Sequence, residues 1–168
     1  WLHAAHLLVE GRKMSKSHAN EFTLDDLADA PPARARGGFS PAEFRYYCLT
    51  LHYATPMNFT WDGQAAAARA LGRLRGAFRK AGDRETSGAD LAEKLRDRFR
   101  AAVSDDLNFP RALSVVHDAV RSGTGGEVAR SLAAEWDGVL GVGLLGDPAA
   151  ERAEIPDRNI PLYLRANE

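Results

Sequence analysis

The sequence predicts a mainly α fold: a short N-terminal strand and turn carrying a lysine-rich loop, a connecting helical module, and a small antiparallel helical bundle. Three observations predict it. The apolar run HLLV at 6–9 stops at Glu10-Gly11, as a strand entering a tight turn does. No alternating strand pattern follows residue 60. Four stretches beyond that point repeat apolar residues at helical spacing, with short breaks between them, which argues a bundle.

The loop RKMSKSHAN at 12–20 follows the turn. Thr23, with Asp25 and Asp26 behind it, reads as the cap of a short helix reaching Ala30. PPARARGGF at 31–39 holds two prolines and two glycines and reads as a linker or exposed loop. Ser40-Pro41-Ala42-Glu43 combines an N-cap, a proline at the first helical position and a capping-box acid. The helix it starts is expected to run to about Tyr53 and to break at Thr55-Pro56.

From Asp62 to Ala81, Ala67, Leu71, Leu74 and Phe78 share one face, while Arg69, Arg73 and Lys80 fall opposite. A second helix is expected over 90–104, with Leu91, Leu95, Phe99 and Val103 at steps of four. A third begins at DDLNFPRAL, capped by Asn108, and runs to Ser122, where TGG breaks it; a fourth spans about 127–140 and packs Val128, Leu132 and Trp136. The chain thus divides into a loop and connecting module over 1–60, a bundle over 61–145, and a tail over 146–168 without a readable fold.

Composition narrows the class. With 45% apolar and 27% charged residues in 168, the sequence is that of a soluble globular protein, and no apolar run approaches a membrane span. WLHAAHLL lacks the basic start and cleavage site of a signal peptide. One cysteine, Cys48, forms no internal disulfide, which suits a reducing cytoplasm, and its apolar helical setting points to a packed thiol. The opening Trp1 suggests a piece of something longer.

The net charge of −1 hides an asymmetry. Up to Arg100 there are sixteen Lys and Arg against twelve Asp and Glu, and beyond it six against eleven. Residues 69–100 carry ten basic and five acidic side chains, so a polyanion could meet that helix pair. Of 22 basic residues only four are lysine, and two of those, Lys13 and Lys16, sit in the opening loop. Lysine meets phosphate as a mobile point charge where arginine is a rigid fork.

Such a loop could steady charge that moves onto departing pyrophosphate. Lys16 and Lys13 would supply ammonium groups, Ser15 and Ser17 hydroxyl or backbone hydrogen bonds, and Met14 an apolar anchor. A bare Lys-Ser string is more often a solvated loop; here a strand and turn precede it and a capped helix follows.

KMSKS at 13–17 is a signature of class I aminoacyl-tRNA synthetases, and WLHAAHLLVEGRKMSKSHANEFTLDDL resembles the segment around it in the cysteinyl-tRNA synthetase family. The likeness extends through FRYYCLTLHYATPMNFTWD, DDLNFPRAL and the Trp-Asp-x-x-Leu-Gly-Val run at 136–142, covering about residues 1–145. The resemblance implies a cytoplasmic ligase of protein biosynthesis that joins cysteine to ATP, with Mg2+, as cysteinyl adenylate and then charges tRNA(Cys). It implies Lys16 as the ATP-phosphate lysine, with Lys13, Met14, Ser15 and Ser17 completing the ATP-binding loop. The module up to residue 60 would touch the acceptor-stem side, and the bundle, through Arg69, Arg73 and Lys80, would run along the tRNA.

His18-Ala19-Asn20 stands where that family usually has Leu-Gly-Asn, and Phe109 where it has threonine. The family's nucleotide-binding half and its Zn2+ site would precede Trp1. No metal site is expected within these residues, since His3 and His6 face opposite sides of an extended segment. The 168 residues alone are therefore expected to be inactive. Two alternatives share the signature: the cysteine ligase of mycothiol synthesis, whose acceptor is an amino sugar, and a non-catalytic, tRNA-binding paralogue.

Overall fold

A computed structural model describes residues 1–14, 23–28, 38–86 and 88–146. Strand β1 (Leu7–Val9) turns back antiparallel into β2 (Arg12–Lys13) and pairs in parallel with β3 (Met57–Phe59), giving the sheet order β2-β1-β3. Between them lie helices α1 (Leu24–Ala28) and α2 (Pro41–Leu49); after them come α3 (Trp61–Gly82), α4 (Ala89–Ser104), α5 (Phe109–Arg121) and α6 (Gly126–Leu140).

Local chemistry fixes the element ends. Thr23 Oγ1 accepts from the Asp26 amide while the Thr23 amide donates to Asp26 Oδ2, so α1 starts on a reciprocal cap. Ser40 and Glu43 make the capping box of α2, and Pro41 opens its first turn. Between these helices the chain passes so close to α1 that a side chain on Gly38 would overlap the Ala28 carbonyl; Gly38 also holds φ +72°, so only glycine fits.

Helix α2 ends four residues before the Tyr53 expected from the sequence. Thr50 donates from both its amide and its hydroxyl to the Tyr47 carbonyl, closing the last turn. Beyond it the Tyr53 carbonyl accepts from the Ala5 amide, and the Met57 amide donates to the His6 carbonyl, so the backbone is drawn alongside β1 instead. The strand β3 that results was not expected from the sequence: three residues are too few to show a period.

Two apolar clusters result. Val9, Leu27, Phe39 and Phe59 form the smaller, under the sheet. Phe59 is fully buried, with the rings of Trp61, Tyr47 and Phe44 at 5.3, 6.0 and 6.2 Å. The larger fills the bundle, where α4 packs on α5 and α3 on α6. The predicted inward residues Ala67, Leu71, Leu74, Phe78, Leu95, Phe99, Leu132 and Trp136 are buried there, with Leu91, Val103 and Val128 packed at its margin. Tyr46 belongs to this cluster and Tyr47 touches both, so α2 joins the two.

Phe99 of α4 and Trp136 of α6 stack at 5.2 Å in the middle of the bundle. Replacing Phe99 by alanine should cost about 3–5 kcal/mol, read as a shift of the urea unfolding midpoint. A cost below about 1 kcal/mol would show that this stack does not hold the bundle.

Candidate functional site

The lysine loop grows from the hairpin. Val9 pairs with Arg12 across the two-residue turn Glu10-Gly11, and both turn residues have positive φ, 48° and 77°. Lys13 is therefore a strand residue, opposite Leu8, with its side chain exposed. Met14, the next residue, packs against the cluster of Val9, Leu27, Phe39 and Phe59. That is the anchoring expected of it. Ser15, Lys16 and Ser17 lie outside the described residues.

Neighbouring elements grip the turn. The Glu10 amide donates to the Phe59 carbonyl at 2.9 Å, the Gly11 amide donates to Asn58 Oδ1 at 2.7 Å, and the Trp61 amide donates to Glu10 Oε1 at 3.2 Å. The sequence showed Glu10 only as a turn residue beside Gly11 and Asn58 only as part of a motif of the resemblance; their grip on the hairpin was not read. The signal for Glu10 was its place before glycine in a hairpin turn, a left-handed position that favours Asn or Asp.

Helix α3 starts directly after β3, with Thr60 Oγ1 accepting from the Gly63 amide as its cap. Its outer face carries Arg69, Arg73 and Lys80, all exposed, as predicted, together with Arg79. Among the described residues, none of the four makes an ion pair with a carboxylate. Gly72 and Gly76 lie on that face with open space around them, leaving the helix backbone uncovered between the cations. At 1.5 Å per residue, the cations sit roughly 12–28 Å along the axis from Trp61.

Helix α4 differs, and here the charge count over 69–100 misleads. Arg96 pairs with Glu93 and, at 2.7 Å, with Glu135; Arg98 donates to Asp118 at 2.6 Å; Arg100 meets Asp97 and Glu135 at 3.5 and 3.8 Å. Acids of α4, α5 and α6 neutralise these arginines. Hydrogen bonds from Arg98 first, and then Arg121, hold the Asp118 carboxyl below its usual range. The open positive face is that of α3.

Two arginines tie α2 and α3 to the rest. Arg45 donates to the carbonyls of Leu140 and Val139, and Arg75, 2% exposed, donates to the carbonyl of Val142. Both guanidinium groups cover the C-terminal end of α6, where cations are favoured. Neither role was read from the sequence, although Arg75 stands on the apolar stripe one turn from Leu71.

His52 and His117 have structural partners. His52 Nδ1 accepts from the Ala54 amide, which leaves Nε2 to donate to the Asp106 carbonyl at 2.9 Å, and the Tyr53 hydroxyl donates to Asp106 Oδ1 at 2.6 Å. These bonds hold the turn between α4 and α5, where Asp106 and Leu107 are left-handed. His117 Nε2 lies 3.1 Å from the Tyr46 hydroxyl. Burial raises the Cys48 thiol above its ordinary pKa, as expected of a packed, unreactive group. Among the described residues, no three His, Cys, Asp or Glu side chains converge to hold a metal ion, and no helix is long and apolar enough to cross a membrane.

Residues 98–122, the end of α4 and all of α5, match the DALR domain family. Cysteine–tRNA ligase 1 of Burkholderia lata is 39% identical over 145 residues, covering 86% of this chain and 28% of that protein. Cysteine–tRNA ligase of Opitutus terrae is 39% identical over 158 residues, covering 93% and 31%; that of Thermus thermophilus is 36% identical over 124, covering 69% and 24%. The chain matches the C-terminal portion of the cysteinyl-tRNA synthetase family. It spans less than a third of the length of these relatives. The DALR match falls on α4 and α5, and α3 lies before it in the chain, separated by the first part of α4.

Burial, and after it Arg121 and Arg73, lowers the pKa of His117, with Asp118 opposing. The folded protein keeps this imidazole neutral where the unfolded chain protonates it at about 6.5. Stability is thus unaffected by His117 above that pH and falls as pH drops through it. His117→Gln should show a smaller loss of urea-midpoint stability between pH 7.5 and 5.5 than the parent. An equal loss in both proteins would contradict the assignment.

Proposed function

We propose that the protein containing this chain is a cysteine–tRNA ligase, and that this chain contributes the ATP-phosphate loop and a tRNA-contacting helix. A carboxylate oxygen of cysteine attacks the α-phosphorus of ATP, and the bond to the bridging oxygen breaks. Pyrophosphate leaves with the electron pair. Lys16, with Lys13, meets the charge that gathers on it, and Ser15 and Ser17 add hydrogen bonds. A hydroxyl of the terminal adenosine of tRNA(Cys) then attacks the cysteinyl carbonyl, and AMP departs. Mg2+ would arrive with the nucleotide, and Zn2+ is expected only outside these residues.

The observation that carries this reading is the junction of the hairpin with α3. Met14 seats the root of the loop on the same apolar cluster that α3 enters through Trp61, Ala65 and Ala68. The root of the loop and the start of α3 therefore share one apolar cluster. The division into a module over 1–60, a bundle over 61–145 and a tail belongs to this proposal, as does a cytoplasmic site of action. So does the inactivity of the 168 residues alone, since adenosine and cysteine are expected to be held by other parts of the protein.

The test is cysteine-dependent exchange of pyrophosphate into ATP by the full-length protein. Lys16→Ala should lower the exchange rate about a hundredfold or more, with the KM for cysteine little changed. An undiminished rate would overturn the assignment of Lys16.

A further inference from the structure

We propose that Glu10 and Asn58 are positioning residues which aim the lysine loop at the leaving pyrophosphate. The inference rests on the function proposed above. Its starting point is strain. A two-residue turn of this hand needs two left-handed residues; Gly11 adopts that conformation freely, whereas Glu10, at φ 48°, does so against steric resistance. Such a residue persists only where its surroundings over-determine it.

Here they do. Three hydrogen bonds close on two turn residues, and every partner comes from the β3–α3 junction: the Phe59 carbonyl, the Asn58 side chain and the Trp61 amide. Phe59 is fully buried, so its carbonyl is held at the smaller core. Strand β2, which carries the loop, is two residues long, both exposed, and β1 is its neighbour in the sheet. A ladder that short sets direction weakly, so the turn before it matters more.

Register is what the clamp protects. In the observed pairing Lys13 is exposed and Met14 meets the apolar cluster. A slip of one residue would exchange those faces, burying the lysine stem and freeing the anchor. The direction in which the chain leaves Met14 would change with it. A loop whose lysine must meet the transition state loses rate, more than substrate affinity, when its root wanders.

The experiment measures cysteine-dependent pyrophosphate exchange in the full-length protein with four clamp variants and Lys16→Ala. Asn58→Ala removes the acceptor for the Gly11 amide and should lower kcat about tenfold, with the KM for cysteine within about twofold of the parent. Asn58→Asp keeps an acceptor oxygen and should stay within about threefold of the parent rate. Glu10→Ala should lower kcat in the same way, and Glu10→Gln, which keeps an oxygen for the Trp61 amide, should restore it. Both side chains are exposed, so thermal unfolding should move little, whereas a purely structural role would shift it and leave the kcat to KM split unmoved.

Parent rates in Asn58→Ala and Glu10→Ala would overturn the clamp, as would equal losses in Asn58→Asp and Glu10→Gln, where the acceptor oxygen is kept. If Asn58→Ala does not fold, the Glu10 pair decides alone. A collapsed rate in Lys16→Ala beside normal clamp variants sinks the clamp and spares the function; a normal rate in Lys16→Ala sinks both.

Discussion

The parallel pairing of β1 with β3 is the constraint on which the rest depends. It is three residues deep, Leu7 with Met57, Leu8 with Asn58 and Val9 with Phe59, and it joins segments about fifty positions apart. Phe59 secures it from below by burying its whole ring among Trp61, Tyr47 and Phe44. Since Thr60 caps α3 at the next residue, the strand hands its position directly to the longest of the described helices. The hairpin and the cationic face of α3 are thereby referred to one point.

Polar side chains then fasten α2, the segment after it and α3 to the later helices. Arg45 and Arg75 cover the carbonyls at the end of α6, Tyr46 meets His117 of α5, and Tyr53 with His52 holds the strained turn before α5. The Arg75 bond is buried, and a buried hydrogen bond adds little net stability when made and costs much when one partner is removed. The effect of these contacts is to fix one relative placement of parts that apolar packing alone could let slide.

The helices were legible because their signals are local. Ser40-Pro41 with Glu43, Asn108 with Pro110, and the stepped Leu95, Phe99 and Val103 carry start and face within a few residues. What escaped is non-local. β3 exists because β1 lies beside it, and the end of α2 is set by Ala5 and His6 taking the backbone that follows. The basic face of α3 was readable from periodicity, but the neutralisation of α4 depends on Asp118 and Glu135, which only the fold brings near. In the same way Lys13 and Met14 could be named in advance, while Glu10 and Asn58 needed the turn to be seen closing on the strand.

Helix α3 is the surface proposed to meet the phosphates of tRNA, whereas Arg96, Arg98 and Arg100 of α4 are paired with acids of α4, α5 and α6. The direct measurement is the dependence of tRNA(Cys) affinity on salt concentration in the full-length protein. Exchanging Arg69, Arg73 and Lys80 together for glutamine should flatten the log-log slope by about 2–3, roughly one for each phosphate no longer neutralised, while exchanging Arg98 and Arg100 should leave it unchanged. Equal flattening by both sets, or by neither, would contradict it, and a parent slope near zero would point instead to a small uncharged acceptor.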